Sequence, residues 1–331
     1  MCRTLLKLLF LFILSTLSWK NCEAERLNVV TTLPSLASIT EYIGGDYINV
    51  YSITRGVQDA HYIEAKPSYM VKLHRADLLI YSGLELEIGW LPLLIKGARN
   101  NEVSVGSRGN LNASIILTSD AILEKPRGEV DRSMGDVHPL GNPHYLLNPY
   151  NGLRVAELIC ERLIELDQRH ERYFRENFET FQTTLQNKIE EIQEKTVALF
   201  GKNVVCYHVH WSYLLEWLGI NSVGYIELRP GIPPTPRHKQ NIIQLMQDKQ
   251  IEVVIISSWK EPTKAQEVAN AVDARLVILP GEVNAMEGAE EYITWIDYLV
   301  TRLINAFSGS VPDTDSEKQK RERKRRQRGI D

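Results

Sequence analysis

The sequence predicts an α/β protein of two open parallel-sheet lobes joined by a long rigid connecting helix. Three observations carry that prediction. Short β-branched runs alternate with helical patterns between residues 27 and 106, the signature of parallel strands covered by helices. The same alternation restarts at Gly201. Between the two blocks lies a stretch, from Leu153 to about Leu199, with almost no helix breaker. A chain of 331 residues is also long enough for more than one domain.

Taken in order, Leu27–Leu33 reads as a strand and Pro34–Ile43 as a helix ended by Gly44-Gly45. Ile48–Thr54 is a second strand, followed by a polar loop to His61. Pro67 opens a helix at a first-turn position, running to about Ala76. Leu78–Gly83 is a strand, Ile88–Arg99 a helix and Val103–Gly106 a short strand; residues 107–143 read as irregular. From Leu153 a helix runs to about Leu166, then a long amphipathic one to Leu199, with Phe174, Phe178, Phe181, Leu185, Ile189 and Ile192 on one stripe. A helix of roughly 28 residues spans about 42 Å, which makes a stiff connector. Strands follow at Asn203–Tyr207, Ser222–Leu228, Glu252–Ser257 and Arg275–Leu279. The helices between and after them are Trp211–Leu218, Thr235–Lys249, Pro262–Val272 and Gly288–Phe307. The expected division is a signal peptide over 1–24, an N-terminal lobe over 25–168, the connecting helix over 169–200, a C-terminal lobe over 201–309 and a disordered basic tail over 310–331.

The first 24 residues have a basic start (Arg3, Lys7), an apolar run from Leu8 to Leu17 and a polar stretch to Ala24. These are the three regions of a secretory leader, and the run is too short to span a bilayer. Cleavage is expected after Ala24. Cys22 follows Lys20 and Asn21 where a lipoprotein signal needs small residues, so no lipid anchor is expected. Cys160 and Cys206 then remain, one on a predicted helix and one on a predicted buried strand, and read as two buried free thiols. Two cysteines at that spacing exclude a cysteine-based zinc site.

The formal net charge of −4 conceals an asymmetry. From Asp313 onward there are eight basic and five acidic residues; without these and the leader, 27 basic and 36 acidic residues remain. An acidic body suits a cation-handling protein. The basic tail reads as a solvated end, and without interleaved aromatics it gives no support for nucleic-acid binding.

Function is most legible in the stretch Asp136-Val137-His138-Pro139-Leu140-Gly141-Asn142-Pro143-His144. Pro139 and Pro143 exclude a helix, so the two imidazoles are presented from rigid turns. His61 closes the loop after the second strand, and His208 stands at the end of the first strand of the second block. Ligands of open α/β sheets sit beyond the carboxyl ends of the strands. His61, His144 and His208 are therefore the candidate metal ligands, meeting in a cleft between the lobes. His138 and His210 are close rivals; His74, His170 and His238 read as ordinary side chains. Neutral imidazole suits zinc and neighbouring transition metals rather than calcium or magnesium.

At these residues the chain resembles the metal-binding solute receptors of bacterial ATP-driven (ABC) importers for zinc and manganese. The likeness covers about residues 26–307. It rests on Asp59-Ala60-His61 followed by Glu64 and Pro67-Ser68, on Pro143-His144-Tyr145-Leu146-Leu147-Asn148-Pro149, and on Tyr207-His208 with Trp211 and Tyr213 behind it. Ala60 and Asn148 replace a usual proline and aspartate, and a long His/Asp-rich loop is absent. The resemblance implies a fourth ligand just after the last strand, where Glu282 is the nearest carboxylate; Glu227, His138 or water are the alternatives. It further implies a monomeric receptor in the periplasm that binds Zn²⁺, or Mn²⁺ second, as transported ligand with no catalytic cofactor. Its partner would be an ABC importer membrane permease. Two other readings compete, a secreted zinc hydrolase and an adhesin or structural protein on the same fold. The sequence has no His-Glu-x-x-His helix and no Gly-x-Ser-x-Gly elbow to support the hydrolase.

Overall fold

The computed structural model describes residues 26–126, 138–227 and 233–309. The expected leader, the basic tail, Leu228 and most of the loop ahead of His138 lie outside the described residues. Among the described residues eight strands form two four-stranded sheets. The first holds β1 (Leu27–Thr31), β2 (Ile48–Ser52), β3 (Leu78–Tyr81) and β4 (Asn110–Asn112) in the order β2-β1-β3-β4. The second holds β5 (Asn203–Cys206), β6 (Asn221–Tyr225), β7 (Val253–Ser257) and β8 (Arg275–Leu279) in the order β6-β5-β7-β8. Every pairing is parallel, with Val29 opposite Leu78 and Val254 opposite Leu276. The two sheets thus repeat one topology, and the α/β reading of two parallel-sheet lobes holds.

The helices are α1 (Pro34–Gly44), α2 (Pro67–His74), α3 (Leu91–Ala98), α4 (Pro149–Leu166), α5 (Glu171–Thr196), α6 (Ser212–Trp217), α7 (Pro236–Asp248), α8 (Thr263–Asn270) and α9 (Tyr292–Ser308). Proline stands in the first turn of α1, α2, α3, α4 and α7, where its missing N–H has no helical partner to lose. Helix α4 starts earlier than the apolar pattern indicates. Asn148 caps it by accepting the Tyr150 N–H at 3.0 Å, so the first turn is helical although Asn151 and Gly152, both buried there, carry no apolar period.

The expected strand at Val103–Gly106 is absent, and β4 lies at Asn110–Asn112 instead. Asn100 accepts the Glu102 N–H and starts a short 3-10 turn over Asn101–Val103. Val105 is left 81% exposed. Gly109 lets the chain pass between backbones, because a Cβ there would stand 2.3 Å from the Asp77 carbonyl oxygen. Turn chemistry overrides a weak β pattern here.

The main core runs without interruption from one sheet to the other. It joins Val29 and Ile80 of the first sheet to Val204 and Ile255 of the second through α1, α4, α5, α6 and α9. Two smaller cores cover the outer faces, under α2 and α3 in one lobe and α7 and α8 in the other. Helix α5, 26 residues long, buries Phe174, Phe181, Leu185, Ile189 and Ile192. It touches both lobes: Asn177 donates to the Ile43 carbonyl at the end of α1, and Lys188 pairs with Asp297 on α9 at 3.4 Å. Cys160 and Cys206 are buried and free, and burial pushes their thiols up to about 11 and about 12. Among the described residues no helix is long and apolar enough to cross a membrane.

Candidate metal centre

The carboxyl ends of β1, β2, β3, β5, β7 and β8 face one region, and five of the chain's eight histidines, His61, His138, His144, His208 and His210, gather there. The loop after β2 carries His61. Asp59 accepts from both the His61 backbone N–H, at 3.2 Å, and its Nδ1, at 2.6 Å. That bond fixes the tautomer, leaving the Nε2 lone pair pointed outward. Trp90 Nε1 donates to the Ala60 carbonyl and anchors the loop from beneath. Gly56 lets the same loop meet the other lobe, since a Cβ there would lie 2.2 Å from the Val283 carbonyl oxygen.

His61 Nε2 stands 3.0 Å from His138 Nε2. With His144 they form a group whose ligand atoms all lie within 4.8 Å of one another. The His144 backbone N–H donates to Asn142 Oδ1. Asn142 in turn donates to Glu124 and to the Val209 carbonyl of the other lobe. Burial lowers His138 to about 3, and the neighbouring His61 pushes the same way. Burial, with His210 and His61 beside it, also holds His144 well below the usual range. These rings are neutral at pH 7, the form that binds metal.

The second lobe contributes unequally. After β5 the chain makes a tight turn in which the His210 N–H donates to the His208 carbonyl at 2.9 Å. The two imidazoles diverge as a result. His210 turns inward, its ring centroid 4.0 Å from that of His144. It is held by Trp211 and Trp259 and by Nε2 against the Gly281 carbonyl at 3.2 Å. His208 turns to Glu227, with Nδ1 3.3 Å from Oε2. Burial lowers both rings to about 3, His210 adding to the effect on His208.

Of the four residues singled out in the sequence, His61 and His144 come together with the rival His138. The rival His210 lies against His144, and Glu282 lines a small cavity beside both. His208 turns toward Glu227, with His61 and His144 near enough for the charges of the three rings to act on one another. Glu282 is buried behind the cluster, where Oε1 accepts the N–H groups of Ser35 and Val283, each at 3.0 Å. Burial raises its carboxyl to about 7 against those two hydrogen bonds. It lines a cavity of about 20 Å³ with His144, His210, Asp59 and Trp259. A single water-sized sphere needs roughly 10–15 Å³ by that measure. The cavity is about the size of a single water molecule or ion.

A two-lobed α/β protein with imidazoles converging from both sides of its cleft has the form of a metal-ion receptor. Comparison with known proteins gives the particular family. The profile described as ZnuA, zinc-uptake complex component A periplasmic, matches residues 29–306, and the chain belongs to that family of solute receptors for ABC-type metal importers. The manganese ABC transporter substrate-binding lipoprotein scaA of Streptococcus gordonii is 31% identical over 268 residues, 78% of this chain and 82% of the relative. The manganese ABC transporter substrate-binding lipoprotein PsaA of Streptococcus pneumoniae is 26% identical over 241 residues, 71% of this chain and 73% of the relative. Among solved structures, a crystal structure of ZnuA superposes with a TM-score of 0.70 at 19% identity, over 85% of this chain and 99% of that one. A Mn-bound periplasmic metal binding protein from candidatus liberibacter asiaticus gives 0.67 at 20% identity, over 85% and 99%. At those identities the structural likeness is one of fold. The family is one of receptors, and the hydrolase and adhesin readings give way to it.

Proposed function

We propose that the transported ion is Zn²⁺ in preference to Mn²⁺, held by His61, His144 and His210 with His138 as the fourth nitrogen. The observation that carries this reading is the convergence of imidazoles from both lobes: His61, His138 and His144 have ligand atoms within 4.8 Å of one another, and His210 lies against His144 beside a small cavity that both line. Zinc accepts a tetrahedral set of nitrogens, with about 2.0–2.1 Å to each. Manganese draws more on carboxylate oxygen, and Glu282 on the same cavity is the group that it would recruit. The curated relatives named above carry manganese in their names, which makes the choice of metal the point to test.

The receptor works outside the inner membrane and hands its ion, as a monomer, to a membrane permease. Lys20-Asn21 ahead of Cys22 supports release without a lipid, whereas the same relatives are named lipoproteins. The mass of the mature N-terminus separates the two fates. The ion itself is tested on metal-stripped protein by mass spectrometry and calorimetry with Zn²⁺ and Mn²⁺. One tightly held Zn²⁺ per chain is expected, with His138→Ala weakening Zn²⁺ more than Mn²⁺ and Glu282→Gln doing the reverse. No stoichiometric binding of either ion would remove the reading.

A further inference from the structure

A lysine stands at the mouth of the centre. Lys260 lies in the loop after β7, with its side chain only 20% exposed. Its Nζ is 3.6 Å from Asp59 Oδ2 of the first lobe and 3.8 Å from Glu227 Oε2 of the second. Asp59 holds His61 through Nδ1 at 2.6 Å, and Glu227 lies 3.3 Å from Nδ1 of His208. The five groups form a largely buried chain across the cleft: imidazole, carboxylate, ammonium, carboxylate, imidazole. One cation thus serves two carboxylates from different lobes. Without it, two buried negative charges would face each other across the cleft, at a high cost in desolvation and repulsion.

We propose that Lys260 is a built-in counter-cation, which braces the ion-free cleft and opposes the incoming divalent ion. The inference rests on the receptor reading above. A divalent ion bound to His61 sits on the far side of that ring from Asp59, so Lys260 and the ion face each other across the Asp59–His61 pair and both draw on the same carboxylate. Their repulsion acts only when the ion is present, and the bridge acts fully only when it is absent. The same side chain therefore stabilises the empty receptor and weakens its hold on the cargo. For a protein that must release its ion to a partner, that sets affinity below what the ligands alone would give.

The test compares wild type, Lys260→Met and Lys260→Arg, with Lys264→Met as control, because Lys264 is half exposed and pairs with Glu267 on the same side of the lobe. Zn²⁺ affinity comes from competition with a chelator, the release rate from stopped-flow, and thermal midpoints from both ion-free and Zn²⁺-loaded protein. Lys260→Met is expected to bind Zn²⁺ about ten-fold more tightly, the order expected for a single charge a few ångströms beyond the ligands, with slower release. Its ion-free midpoint should fall while its loaded midpoint holds. Lys260→Arg should restore wild-type affinity and Lys264→Met should leave it unchanged. Lys260→Gln repeats the comparison should the Met variant not stay folded. Unchanged or weaker binding in the neutral variants, with wild type still binding one Zn²⁺, overturns this inference and leaves the receptor reading intact. Wild type that binds no ion overturns both.

Discussion

The two halves of the metal centre are built on the same strand order but reach the cleft by different means. In the first lobe His138 and His144 stand on an irregular loop stiffened by Pro139 and Pro143, and His61 on one held by Asp59 and Trp90, so that their ligand atoms cluster without help from any regular element. In the second lobe a single turn after β5 sorts two histidines. His210 is directed inward between tryptophans and His208 outward to a carboxylate. A shared topology therefore fixes where ligands can appear, at the carboxyl ends of the strands. It leaves which side chain arrives there to a few local hydrogen bonds.

The largest expected effect sharpens that contrast within the second lobe. His210→Ala removes a ring that touches His144, and Zn²⁺ affinity should drop by about 100-fold or more, since each ligand carries a quarter of a binding energy of roughly 10–16 kcal/mol. His144→Ala should lose as much. His208→Ala, two residues away, should change affinity by less than about ten-fold, through charge alone. Competition titration of the three variants checks the order. Equal losses at positions 208 and 210 would mean that the inward and outward rings exchange roles when the ion binds.

A smaller effect belongs to the first lobe. Asp59→Asn keeps the size of the side chain but no longer accepts from His61 as an anion. The carboxyl is held well below the usual range by the His61 hydrogen bond and by the charges of His61 and Lys260, which outweigh its burial. Loss of such an orienting group costs about 10–100-fold in metal affinity. Glu227→Gln, its counterpart beside His208, should cost far less. Similar losses at both positions would show that the two lobes contribute symmetrically after all.

Much of this was legible before any coordinates. Alternating strands and helices gave both parallel sheets, because buried parallel strands must be continuous β-branched runs. The long α5 announced itself by an apolar stripe without breakers. His61 and His144 were legible because proline and glycine mark the loops that present them. Three features were not. The short β4 carries three residues, Asn110-Leu111-Asn112, and offers no period to read. The divergence of His210 from His208 depends on one backbone hydrogen bond. Lys260 has no sequence signature, since its role comes from two carboxylates 201 and 33 positions away that only the folded cleft brings within 4 Å.

The last comparison sets the histidines against Glu282, and it has a sign. His138, His208 and His210 are lowered to about 3 in the folded protein, against roughly 6.5 in an unfolded chain. Between those limits the unfolded state binds more protons, so their contribution is fully present above pH 6.5 and is lost as pH falls toward 3. Glu282 runs the other way. Its carboxyl is raised from the ordinary value to about 7, so its contribution is present at acid pH and is lost as pH rises toward 7. Three groups, with His144 shifted in the same direction, outweigh one. The ion-free protein should therefore melt lower as pH falls from 7 to 4, by roughly several degrees. Glu282→Gln should leave that acid-side loss intact and steepen it, because the opposing group is gone. Scanning calorimetry of both ion-free proteins across this range decides the matter. A flat profile in wild type would mean that burial does not hold the rings of either lobe in the neutral form.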